Sequence, residues 1–109
     1  MNIPTLESTT LPESFRDEAH LEDFLSTPTR GLVADFAQLE SDILVLGVAG
    51  KVGPTLAMMA KRAAPRKRII GVERFSDAEV KRRLEAAGVE TITCDLLDRE
   101  AVARLPRVA

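Results

Sequence analysis

The sequence predicts an α/β fold, a small parallel sheet wound between helices and preceded by a helical leader. Three observations carry this. An apolar run at Ile43–Leu46 passes straight into Gly47, Gly50 and Gly53 and then into a helical pattern. Two further short apolar runs, Arg68–Val72 and Val89–Thr93, alternate with amphipathic stretches of helical period. The junctions are short and marked by Pro, Gly and capping residues. Alternating strands and helices imply a parallel sheet, and right-handed crossovers give the spatial order three-two-one.

Taken in order, Met1–Pro12 is polar and aperiodic and reads as a loose leader. From Ser14 to Leu25, the residues Phe15, Ala19, Leu21, Phe24 and Leu25 share one helical stripe. Thr27–Gly31 interrupts it, and Leu32, Val33, Phe36 and Leu39 mark a second short helix over Leu32–Leu39. Three of the four phenylalanines fall in this leader, residues 1–41, which is expected to bury itself against the sheet or a partner. The first strand is Ile43–Leu46. A helix follows over Val52–Ala64, with Pro54 in its first turn, where a missing N–H costs nothing, and Pro65 as its stop. The second strand, Arg68–Val72, is apolar at its centre, as for a strand covered on both faces. Ser76-Asp77-Ala78-Glu79 reads as a capping box opening a helix through Ala87, with Gly88 as its left-handed stop. The third strand is Val89–Thr93, and Asp98 caps a last helix through Leu105. Together, residues 42–109 form half of a doubly wound, Rossmann-type sheet, one mononucleotide-binding unit.

Composition narrows the function. A net charge of −2 and an isoelectric point near 5.4 leave no basic footprint for nucleic acid. The local clusters Lys61-Arg62, Arg66-Lys67-Arg68 and Lys81-Arg82-Arg83 read as solvated surface. No apolar run approaches the roughly 20 residues needed to cross a bilayer, and no signal peptide is visible. The single cysteine, Cys94, cannot form an internal disulfide and suits a reducing, cytoplasmic setting as a small packed residue. The only histidine, His20, has no ligand-spaced companion for a metal.

The chemistry the sequence announces is the order strand, Gly-x-x-Gly-x-x-Gly, helix. It places a nucleotide diphosphate at a helix N-terminus. Gly47 permits the sharp turn, Gly50 lets backbone approach a pyrophosphate, and Gly53 lets the helix pack on the first strand. Free N–H groups near Lys51 and Val52 then face the phosphates, so Gly47, Ala49, Gly50, Lys51, Val52 and Gly53 form the candidate contact set. A nucleoside-triphosphatase loop is excluded, since Val45 stands where it needs glycine and Val52 where it needs Ser or Thr. Glu73 lies twenty positions beyond Gly53, at the end of the second strand. Its carboxylate can accept from the adenosine ribose hydroxyls and repel a 2′-phosphate, favouring NAD. Arg74 and Lys51 would attract that phosphate and favour NADP, and the balance leans to NAD. Asp95 after the third strand can accept from the adenine amino group, with the Leu96 backbone nearby and Leu97 against the ring. It can equally cap a turn.

Gly47-x-x-Gly50-x-x-Gly53, Gly71-Val72-Glu73-Arg74 and Cys94-Asp95-Leu96-Leu97-Asp98 together resemble the NAD-dependent epimerase/dehydratase family, the extended branch of the short-chain dehydrogenases. The resemblance covers about residues 42–106. It implies that the glycines hold the pyrophosphate, Glu73 the ribose and Asp95 the adenine. The family's chemistry uses a Tyr-x-x-x-Lys pair, and this chain has no tyrosine. The fourth strand, which in the family lies beside the first, is also missing. The resemblance therefore implies the adenosine-binding portion of such an enzyme, inactive by itself. The alternative is a non-catalytic nucleotide-sensing or regulatory module acting through its leader; a third reading is a degenerate piece without ligand. The partner is a dinucleotide, with no nucleic acid and no membrane. The unpaired side of the first strand is expected to meet the leader helices, a second copy or the remainder of a larger chain.

Overall fold

The computed structural model describes residues 3–5 and 12–107. The reading of Met1–Pro12 as a loose leader lies largely outside them. Among the described residues eight elements follow one another: α1 (Glu18–Leu25), α2 (Arg30–Gln38), β1 (Ile43–Leu46), α3 (Gly53–Ala63), β2 (Ile69–Glu73), α4 (Ala78–Ala86), β3 (Glu90–Thr93) and α5 (Arg99–Ala103). The sheet is three-stranded and wholly parallel, with β2 between β1 and β3. Ile43 stands opposite Ile69 and Leu46 opposite Val72, while Ile70 faces Glu90 and Glu73 faces Thr93.

Parallel strands bury both faces, and alternate residues divide between two clusters. Ile43, Val45 and Ile69 pack with Val48, Ala57, Ala60, Leu84 and Val89, so α3 and α4 lie on this first face. Phe36 of α2 joins the same cluster. Leu44, Ile70, Val72, Ile92 and Cys94 form the second face, covered by Leu96, Ala101 and Leu105 around the five-residue α5. At the strand starts, Arg68 forks onto both carboxylate oxygens of Glu90, at 2.8 and 3.0 Å. The hydrogen bond holds the Glu90 carboxyl below the usual carboxylate range. The pair's contribution is therefore present at neutral pH and lost as pH falls through that lowered value.

Several boundaries differ from the sequence expectation, each for a local reason. The first helix begins at Glu18, not Ser14, because the Asp17 carboxylate accepts from the His20 N–H at 2.8 Å and caps it there. Phe15 lies outside the helix and packs on the rings of His20 and Phe24. The second helix starts earlier than Leu32, at Arg30, capped by the Thr29 hydroxyl. The cap of α4 is Asp77 rather than Ser76; its carboxylate accepts from the Glu79 N–H at 2.9 Å, so the Ser76–Glu79 box does not form. Gly88 does take the left-handed conformation after this helix, at φ +88°. Asp98 caps α5 through the N–H groups of Glu100 and Ala101, and the helix ends at Ala103, short of Leu105.

Both leader helices pack on α3. Arg62 of α3 donates to the Asp23 carbonyl and the Ser26 hydroxyl, both at 2.9 Å, and lies 3.2 Å from the Asp23 carboxylate. Arg83 of α4 pairs with Glu22. The α1 helix buries no residue of its own, so these arginines and the neighbouring Ser26 and Pro28 hold it. No helix among the described residues is long and apolar enough to cross a membrane.

Candidate functional site

Parallel order brings every strand end to one edge. Gly47 follows β1, Glu73 ends β2, and Cys94 and Asp95 follow β3. Backbone bonds tie the three ends together. The N–H groups of Gly47 and Val48 both donate to the Val72 carbonyl, at 2.9 and 3.3 Å, and the Cys94 N–H donates to the Glu73 carbonyl at 2.9 Å. The sequence-derived candidates thus share one edge of the sheet.

The bend after β1 is built around a buried residue. Gly47 has φ +71°, the left-handed region where a side chain is strained. The Gly50 N–H closes the turn onto the Gly47 carbonyl at 3.2 Å. Inside it, Val48 is 0% exposed. Its side chain sits over Gly71 in the middle of β2, where an added Cβ would meet the Val48 methyls at 2.9 and 3.0 Å. Its backbone lies against Gly53, where an added Cβ would stand 2.3 Å from the Val48 carbonyl oxygen. The tight packing expected between Gly53 and the first strand is therefore made to Val48 in the turn. The helix starts so soon after the bend that its first residue abuts the bend itself. Gly50 differs: its φ is not left-handed, and a Cβ would meet only the Gly47 carbonyl oxygen at 3.5 Å, an ordinary contact.

This packing leaves amides unused. The first N–H groups of a helix have no partner within it. Among the described residues, the N–H groups of Ala49, Lys51, Val52, Gly53 and Thr55 have no protein acceptor, and Leu56 is the first to bond back, to Val52. Pro54 contributes no donor. Gly50, Lys51 and Val52 are exposed, Val52 at 71%. The result is an open ledge of donors at the positive end of the α3 dipole, which favours an anion by about 0.3–1 kcal/mol at an exposed position. The cleft of about 570 Å³ that reaches Thr55 is bordered on its other side by Glu18, Glu22 and Leu25 of α1.

Glu73 is half-buried, and one of its carboxylate oxygens accepts from the Arg74 N–H at 3.1 Å, so the neighbouring amide orients it. Its second oxygen has no bond among the described residues. Arg74 is exposed. The chain then reverses at Phe75, a non-glycine residue at φ +54°, whose ring packs on the first core cluster beneath the Lys81 ammonium. Asp95 does cap a turn: Oδ1 accepts from the Leu97 N–H at 2.9 Å and its carbonyl accepts from Asp98 at 3.0 Å. One carboxylate oxygen is left for another donor. Leu96 is half-buried in the second cluster, whereas the Leu97 side chain is 92% exposed beside it. Cys94 is buried and its thiol points to the Asp95 carbonyl, 3.6 Å away.

Three residues that shape the edge were not singled out for it from sequence: Val48, Gly71 and Phe75. A glycine in the middle of an otherwise branched strand was the available signal for a close approach. Nothing local marks Phe75 or the burial of Val48. Comparison with protein-family models, curated proteins and solved structures gave no match.

Proposed function

We propose that this chain binds the adenosine diphosphate half of NAD or NADP, as the Rossmann-type portion of an epimerase/dehydratase-like short-chain dehydrogenase. The observation that carries the reading is the exposed ledge of unpartnered amides at the start of α3, on the edge where all three parallel strands end. That is where ligands sit in open parallel sheets. In this reading the N–H groups of Ala49, Lys51, Val52 and Gly53 take the diphosphate oxygens and the Lys51 ammonium adds charge. The free carboxylate oxygen of Glu73 takes a ribose hydroxyl, which favours NAD; the exposed Arg74 would favour NADP. Asp95 takes the adenine amino group on its remaining oxygen, and Leu97 covers the ring. The setting is a reducing cytoplasm. No catalytic role is assigned to a residue of this chain, which holds no tyrosine for the family's acid–base step.

A nucleotide-sensing module is the second reading, and one feature favours it. The leader helix α1 borders the same cleft as Thr55, in the first turn of α3. Nucleotide at the turn and the leader therefore lie against one helix end.

Gly50 supplies a clean test, because an added Cβ there meets only an ordinary contact. Calorimetric titration of the full chain with NAD, NADP and ADP-ribose is expected to give binding for all three. Gly50→Leu should weaken it at least tenfold, with an unchanged urea midpoint, by filling the approach to the amides. No heat at millimolar ligand, or equal affinity in the variant, would overturn the reading.

A further inference from the structure

Building on the nucleotide reading above, we propose that Phe75 is a positioning residue that aims the Glu73 carboxylate at the adenosine ribose, acting through the Arg74 amide. Among the described residues Phe75 is the one non-glycine residue with a left-handed backbone, at φ +54°. A bulky side chain is rare in that region, and glycine would take the same conformation without strain. Such strain persists only where the surroundings impose it. Here the side chain supplies the reason. It packs on the first core cluster, which holds Val48, Ile69 and Leu84, and the Lys81 ammonium of α4 stands 6.0 Å from the ring centroid. The core and Lys81 together hold the ring.

The loop carries that anchor to Glu73. Backbone bonds pin β2 up to its last residue: the Val72 carbonyl accepts from Gly47 and Val48, and the Glu73 carbonyl accepts from Cys94. The Glu73 side chain is set separately. One carboxylate oxygen accepts from the Arg74 N–H at 3.1 Å, and that is the carboxylate's one bond among the described residues. The direction of the Arg74 amide therefore decides where the carboxylate points. Arg74 is exposed, and its guanidinium makes no bond among the described residues, so its peptide is fixed by its neighbours. On one side stands the end of β2. On the other stands Phe75, two residues ahead of the Asp77 cap of α4. The packed ring and the left-handed turn of Phe75 fix the Arg74 amide, and with it the carboxylate oxygen left open for a ribose hydroxyl. Val48, which seats the glycine turn, belongs to the same cluster as Phe75. One core thus sets the diphosphate end and the ribose end of the site in register.

The test is calorimetric titration of the full chain with ADP and with 2′,3′-dideoxy-ADP, which lacks the ribose hydroxyls and keeps the diphosphate. Wild type is expected to bind ADP about tenfold more tightly, as for a hydrogen bond to a charged group. Phe75→Gly should remove most of that ratio by weakening ADP, and should leave dideoxy-ADP unchanged. A fold that is merely loosened would weaken both ligands alike. Phe75→Asn tolerates the left-handed turn but has no ring. It should behave as the glycine variant does, and it decides if that variant fails to fold. Phe75→Leu keeps an apolar anchor and should retain the ratio. In a Glu73→Ala background, where the ratio is already lost, Phe75→Gly should have no further effect on it. Equal wild-type affinity for the two nucleotides, a preserved ratio in Phe75→Gly or Phe75→Asn, or equal weakening of both ligands would overturn the role of Phe75 and leave the diphosphate site standing. Absence of binding by either nucleotide would overturn the nucleotide reading itself, and this role with it.

Discussion

Gly53→Ala is expected to destabilise the protein by about 3 kcal/mol, the upper part of the range for overpacking. The added methyl would stand 2.3 Å from the Val48 carbonyl oxygen, 2.6 Å from its carbonyl carbon and 2.9 Å from its Cα. All three are backbone atoms. They cannot rotate away as a side-chain terminus can, and Val48 is fixed on the other side by its burial. Relief requires α3 to move off the turn, which also moves the amides of Lys51, Val52 and Gly53. Urea unfolding should show the loss as a lowered midpoint with unchanged slope. A change below about 0.5 kcal/mol, the range of ordinary surface substitutions, would mean that helix and turn are not in contact as described. Binding of ADP-ribose should fall with it, whereas Gly50→Leu should weaken binding at least tenfold and leave stability alone. The two glycines thus separate architecture from ligand contact.

Gly71→Ala should cost about 2 kcal/mol, again by overpacking. The atoms it meets are the Val48 methyls and Cβ, at 2.9, 3.0 and 3.2 Å. A buried β-branched side chain has little freedom to evade them. Val48→Ala alone should also cost about 2 kcal/mol through lost burial. Because the two residues fill one space, the double variant Val48→Ala with Gly71→Ala should be much less damaged than the sum, with a coupling of about 1–2 kcal/mol. Additive losses would contradict the seating of the turn on β2.

The sequence reveals the elements whose signals are local and strong. The apolar run Ile43–Leu46, Pro54 at the head of α3, Gly88 after α4 and Asp98 before α5 each stand where a short-range rule puts them. It misjudges places where two adjacent residues obey the same rule. Ser76 and Asp77 are both good caps, and the choice of Asp77 depends on which one the chain leaves extended, here at φ −106° and ψ 106°. It likewise cannot see contacts that only the assembled sheet creates. The nearest atoms to Gly53 belong to Val48 in the turn, and Val48 also lies over Gly71; the strand glycine signals a close approach but not which residue makes it. For the site, the turn-capping alternative at Asp95 is the one seen: one carboxylate oxygen accepts from the Leu97 N–H, and the other has no bond among the described residues. The conflict between Glu73 and Arg74 persists in the geometry, since the carboxylate is oriented by the Arg74 amide while the guanidinium is exposed.

The most direct measurement is a backbone amide titration by nuclear magnetic resonance, adding ADP-ribose to the wild-type chain. Saturable shifts are expected in Ala49, Lys51, Val52, Gly53 and Thr55, with smaller ones at Arg74 and Leu97, and little change in the strand starts near Arg68 and Glu90. Amides of the turn that stay unmoved at millimolar ADP-ribose, or shifts gathered at another part of the surface, would contradict the proposed diphosphate site.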